Sequence, residues 1–223
     1  GFGEAGRAAY LSAIDGLAYG DDPGEGVVRG RRFVHPRLGF TFTAPDGFVL
    51  ENGSKALLGI AGGGAEALRL DSVRVPASTP LETYLGSGWI EGLKAGSIET
   101  STINGLPAAI AVAQGREWTF RLAAIRFGTE VYRIIFATRS LTAEADGRFR
   151  AAIQTFRRLP QEEANAVKPL RLALVAAEGG ASAESLSRRM AGTERPLDLF
   201  LLLNGIDRGA SLAPGERYKI VVE

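Results

Sequence analysis

"EVYRIIFAT", residues 130–138, is apolar on both faces of an extended chain: Val131 and Ile135 lie on one side, Tyr132, Ile134 and Phe136 on the other. Successive side chains of a strand point to opposite faces, so both faces of this one need cover. The segment therefore belongs in the middle of a sheet with a layer on either side. Two more long strands, "LPAAIAVAQ" and "EWTFRLAAIRF", come just before it.

The covering layers are legible elsewhere. "FTFTAPDGFVL" puts Phe40 and Phe42 on one face, turns at Pro45-Asp46-Gly47 and resumes as a strand. "KALLGIAGGGAEALRLDSVRV" reads as a hairpin around Gly62 to Gly64. A helix is expected from Thr79, with Thr79 as N-cap, Pro80 at the first position and Glu82 completing a capping box. Its apolar stripe is Leu81, Tyr84, Leu85 and Trp89. A second helix is expected over residues 142–158, with Ala145, Phe149, Ala152, Ile153 and Phe156 inward. Acidic side chains lie in its first turn and Arg157 and Arg158 in its last, as the helix dipole favours. Strands, helix, strands, helix give an α+β domain over residues 31–160.

The ends differ in grammar. Residues 4–18 carry Ala8, Leu11, Ile14 and Leu17 at helical spacing, followed by the Gly/Asp/Pro-rich "YGDDPGEG". Residues 1–30 thus read as a short helix and linker, and residues 161–169 as a second, charged linker. Residues 170–223 read as a β-α-α-β unit: a strand "LRLALVAA", a helix capped by Ser182, a helix opened by Pro196 and stopped at Asn204-Gly205, and a strand "RYKIVV". Gly1 leads directly into helix-like sequence without a methionine or signal peptide, so the chain reads as a piece of something longer.

Composition narrows the chemistry. A net charge of +1 gives no basis for binding nucleic acid or a polybasic membrane patch. The longest apolar run, "LFLLL", falls far short of the roughly 20 residues of a membrane span. Zero cysteines exclude disulfides, thiolate metal sites and thiol catalysis.

The motifs are mostly negative. "GFGEAG" matches G-x-G-x-x-G but has no strand before it, and Gly62 to Gly64 lacks the Lys-Ser/Thr of a phosphate loop. Asp21, Asp22 and Glu25 lack the spacing of a calcium loop. The single histidine, His35, cannot anchor a zinc site without other nitrogen or sulfur ligands. Counting alone leaves room for a Ser-His-Asp triad. Yet Pro36 holds His35 extended at a strand end, and no serine sits in a G-x-S-x-G elbow. His35 is therefore expected to be structural or at the surface, and no pair of carboxylates stands out for glycosidase-type chemistry.

Two stretches carry a family resemblance. Residues 10–48, with the turn residues Asp15-Gly16, Gly20-Asp21-Asp22-Pro23 and His35-Pro36, resemble the segment after the catalytic domain in bacterial HExxH zinc metallopeptidases of the HtpX, CAAX-prenyl-protease and BepA-like group. On that resemblance the N-terminal helix is a remnant of the peptidase domain. The domain after it is similar to the PsbP-like α/β/α sandwich with an antiparallel sheet, through its element order and "F-x-x-P-x-G-F". Residues 170–223 resemble a LysM domain: Gly180-Ala181-Ser182, Leu203-Asn204-Gly205 and Leu212-Ala213-Pro214-Gly215 fill the places of its motifs, with Ala181 where the pattern has aspartate.

The resemblance implies a non-catalytic accessory region of an envelope, periplasmic zinc metallopeptidase that positions or regulates the protease. Its own residues would hold no cofactor, zinc belonging to the peptidase domain. Partners would be that domain and envelope protein clients or peptidoglycan. Candidate glycan contacts are Gly180, Ser182, Asn204, Gly205 and Ile206. The alternative is a free-standing periplasmic ligand- or glycan-binding protein, with a ligand in the cleft of the sandwich.

Overall fold

A computed structural model describes residues 4–19 and 25–223. In chain order its elements are α1 (Glu4–Ile14), β1 (Ala18–Tyr19), β2 (Val27–Arg29), β3 (Arg32–His35), β4 (Phe40–Thr43), β5 (Val49–Asn52), β6 (Leu57–Ala61) and β7 (Glu66–Arg74). Then come α2 (Leu81–Leu85), β8 (Glu99–Ile103), β9 (Leu106–Gln114), β10 (Thr119–Phe127), β11 (Glu130–Thr138), α3 (Ala143–Ile153) and β12 (Arg157–Arg158). The last are α4 (Gln161–Ala166), β13 (Leu170–Ala176), α5 (Ala183–Ser187), α6 (Pro196–Asn204) and β14 (Arg217–Val222). This is an α+β fold built on antiparallel sheets.

The main sheet runs β5-β6-β7-β11-β10-β9-β8. β11 lies at its centre, paired over its whole length with β7 and β10, as its two apolar faces require. Tyr132, Ile134 and Phe136 face a layer made by α3 and by a second sheet, β12-β4-β3-β2. Phe40, Phe42, Phe136, Phe149 and Phe156 are fully enclosed there. Each contributes about 1.5–3 kcal/mol through burial. Val131 looks the other way, into a smaller core with Leu81 and Leu85 of α2, flanked by Tyr84 and Trp89.

Two local expectations are corrected. α2 starts at Leu81 with Pro80 as N-cap and no side-chain cap. The Thr79 carbonyl is instead taken by the Arg126 guanidinium at 3.0 Å. α3, capped by Thr142, ends at Ile153, and Arg157 and Arg158 form β12 against β4. The chain leaves the helix because Asn104 holds the Gln154 and Phe156 carbonyls at 2.9 and 2.7 Å. Within the segment expected to join the two units, residues 161–166 form α4. Ala164 packs with Val27, Val34 and Leu159 on the outer face of the second sheet, and Glu163 meets Arg157 and Arg32.

Residues 170–223 follow the order β13-α5-α6-β14, the two strands antiparallel and the helices over a core around Phe200 and Ile220. The N-terminal segment joins them. β1 pairs with the free edge of β13, Gly16 donates to the Leu172 carbonyl at 2.7 Å, and the Asp15 carboxylate accepts the Leu174 amide at 3.1 Å. An exposed strand edge is thereby covered.

Candidate functional site: a cleft between two sheets

A cavity of about 550 Å³ opens where the β3–β4 hairpin of the second sheet meets the β5–β6 end of the main sheet. Its apolar walls are Phe33, Phe40, Leu57 and Leu70, and its polar groups include His35, Tyr132, Arg37 and Lys55. Strand alternation explains the inner wall. Phe33 and His35 share one face of β3, opposite Phe42 and Phe40 of β4, and Tyr132 projects from β11 on the face of Ile134 and Phe136.

Aromatic packing fixes the two deepest polar groups. The His35 ring stacks beside Phe40 at 5.9 Å, and Phe40 lies 4.7 Å from Tyr132 and 5.0 Å from Phe156. The Leu38 amide donates to His35 Nδ1 at 3.1 Å, within the tight turn that also joins the Gly39 amide to the His35 carbonyl. An amide N–H bonds only to an unprotonated ring nitrogen, so the neutral imidazole carries its proton on Nε2. A triad base needs the opposite tautomer, with Nε2 free to accept from a serine. With Nδ1 occupied, His35 offers an N–H donor at Nε2 rather than a base.

Electrostatics keeps both groups neutral. Burial lowers the His35 pKa, the Arg37 charge adds to this, and Glu25 opposes it. Burial, helped by Glu130, pushes the Tyr132 hydroxyl up to about 12. His35 is 6% exposed and Tyr132 3%. Yet neither His35 Nε2 nor the Tyr132 hydroxyl bonds to protein among the described residues, and neither is sealed off from the cavity. Two side chains that carry a donor thus line an open space. Asp71, on the rim, is already held by Arg133 through two bonds of 2.7 Å.

The glycan candidates lie elsewhere, in residues 170–223. Gly180 is in the loop before α5 with a positive φ. The Ser182 hydroxyl accepts from the Ser185 amide in a reciprocal capping box. The Asn204 amide group donates to the Phe200 and Lys219 carbonyls and accepts from the Lys219 amide, tying α6 to β14. Gly205 is the left-handed C-cap, and the Ile206 side chain packs on the local core. The Ala177 and Gly215 backbones bond each other's loops, drawing residues 177–181 towards 213–216. Gly62 to Gly64 forms a 3-10 turn at the β6–β7 hairpin tip. Asp21 and Asp22, the turn residues 20–23 and the start of "GFGEAG" lie outside the described residues.

Among the described residues no group of three or more His, Cys, Asp or Glu side chains is arranged to hold a metal ion. No described helix is long and apolar enough to cross a membrane.

No protein-family model matches the sequence. No curated protein matches it. Solved structures do overlap in part. A crystal structure of a protein from Bacteroides thetaiotaomicron VPI-5482 shares 17% identity over 65% of this chain, with a TM-score of 0.43. This chain spans 53% of that protein's length. The solution structure of the cyanobacterial PsbP protein CyanoP from Synechocystis sp. PCC 6803 shares 14% identity over 62% of this chain and 98% of its own, with a TM-score of 0.47.

Proposed function

We propose that this chain is a ligand-binding protein of the bacterial cell envelope, whose inter-sheet cleft takes a small molecule. One observation carries the reading: His35 and Tyr132, two largely buried side chains, line the same 550 Å³ cavity, and neither His35 Nε2 nor the Tyr132 hydroxyl bonds to protein among the described residues. Buried polar groups normally find a partner, and water or a ligand is the partner left to these. The volume suits a small organic ligand, and convergent polar groups in an apolar cleft are the usual mark of such a site. The envelope location rests on the resemblance of residues 10–48.

The accessory-region reading has no comparable site in its favour. The β-α-α-β order of residues 170–223 supports a LysM-like unit, but the side chains of Ser182 and Asn204 are occupied in capping and in tying α6 to β14. That unit serves as a packing or contact module, joined by residues 4–19, beside the domain of residues 31–160.

A thermal-shift panel of small acidic, neutral and basic compounds tests the cleft. A ligand stabilises the state it binds in proportion to the logarithm of its concentration over Kd. Hits on the wild type should weaken in Tyr132→Phe. Hits unaffected by that change would remove the cleft from the account.

A further inference from the structure

We infer that this chain forms a weak symmetric dimer through the uncovered half of its main sheet. The inference goes beyond the cleft reading and does not depend on it, because Leu57 and Leu70 line the cleft from the opposite face of the same sheet.

Strand alternation puts Val131, Ile135 and Ala137 on the face turned away from α3. α2 covers the Val131 end of that face through Leu81 and Leu85. Towards β5 and β6 the same face stands open: Val49 is 71% exposed, Ile60 55% and Leu58 42%. Cross-strand register joins these side chains into one surface. Val49, Ile60, Ala67 and Ala137 form one row, and Glu51, Leu58 and Arg69 form the row beside it. Large aliphatic side chains gathered on neighbouring strands make a contiguous patch, and such patches mark interaction sites.

The surface is complementary to itself. A two-fold axis parallel to the strands, between β6 and β7, exchanges the two halves of the patch. It lays Val49 and Ile60 of one copy over Ala137 and Ala67 of the other, large on small. Leu58 then meets the aliphatic stem of Arg69 of the other copy. Glu51 of each copy comes beside the same arginine, which gives two ion pairs per dimer. Glu51 is exposed and makes no ion pair among the described residues. Arg69 has one bond of 3.3 Å to Asp71, a carboxylate already held by Arg133 through two bonds of 2.7 Å. Face-to-face packing of aligned sheets is an ordinary way for two such surfaces to meet. Four strands about 4.8 Å apart, each showing two or three outward residues, give roughly 400 Å² per copy. That is half of the about 800 Å² per partner of a standard interface, so the dimer is weak, with Kd above about 1 μM.

Sedimentation velocity of the full chain, from micromolar to millimolar concentration, tests the inference. It should show a reversible monomer–dimer equilibrium. Ile60→Lys, at an exposed site, should abolish the dimer and leave the melting temperature of the dilute monomer alone. Glu51→Arg and Arg69→Glu should each weaken association about tenfold, and the two together should restore it. A chain that is monomeric throughout, a dimer that survives Ile60→Lys, or a double variant no better than the single ones overturns the inference. So does a chain that stays monomeric and binds phosphatidylethanolamine–phosphatidylglycerol vesicles in a manner lost in Ile60→Lys, for the face then takes lipid.

Discussion

The Leu38 amide and His35 Nδ1 lie 3.1 Å apart, and this one bond settles what the chain's lone imidazole can do. It fixes the tautomer with the proton on Nε2 and favours the neutral ring in a buried setting. The His35 pKa lies below its ordinary value of 6.5, so the unfolded chain binds the extra proton first as pH falls. The contribution is therefore complete above pH 6.5 and is lost as pH drops through the folded value. Urea unfolding between pH 7.5 and 5 should show this slope, and His35→Gln should flatten it. A wild-type slope no steeper than the variant's would contradict the burial of a neutral imidazole.

Tyr132 gives the mirror case at high pH. Its hydroxyl is pushed up to about 12 from an ordinary 10, so folding keeps a proton that the unfolded chain releases. Stability from this group is full below pH 10 and falls as pH rises towards 12, by up to about 2–3 kcal/mol. Tyr132→Phe should remove that loss. At neutral pH it should cost less than about 1 kcal/mol, because the hydroxyl has no protein partner among the described residues to strand. Paired denaturation curves of the two proteins at pH 7 and pH 11 check both statements.

Gly26 backs the cleft from behind. It holds φ at +86°, and a Cβ there would lie 2.6 Å from Phe33 Cζ and 3.0 Å from the His35 ring. Gly26→Ala must therefore strain the backbone and shift two cleft side chains. The expected cost is about 1–3 kcal/mol, with a loss of ligand affinity beside it. Unchanged stability would mean that residue 26 does not press on those rings.

On the α3 side, Arg121 of β10 is buried and held by Asp146 through bonds of 2.7 and 2.9 Å. Burial alone would raise the Asp146 pKa, but bonds from Arg121 and Arg150 outweigh it and hold it low. Asp146→Ala leaves a buried cation unpaired and should cost about 3–5 kcal/mol in chemical denaturation. Arg121→Met with Asp146→Leu should recover most of it, because an apolar pair leaves no charge uncompensated.

The main sheet was readable because β11 is apolar on both faces, and period-two alternation admits few other places for it. The strand "RYKIVV" and the helix between Pro196 and Gly205 were equally plain, since Pro and a left-handed Gly mark the ends directly. The helix over residues 161–166 is hard to see in the sequence because its charge hides one inward Ala164 and a Glu163 that three-dimensional proximity alone gives to Arg32 and Arg157. The cleft was the least legible part. His35, Arg37, Lys55 and Tyr132 come from different strands and turns, and no local motif joins them. The available signal was a tyrosine on the most buried face of a core strand, where a hydroxyl needs somewhere to go.

His35 is the chain's only histidine, so its ring nitrogens give signals that need no assignment by mutation. The most direct measurement is a long-range proton–nitrogen NMR spectrum of that imidazole, without and with each compound that stabilises the protein. The account predicts a neutral Nε2–H tautomer at pH 7 whose nitrogens shift saturably with the stabilising ligand. An Nδ1–H tautomer, or stabilising ligands that leave both nitrogens unmoved, would contradict it.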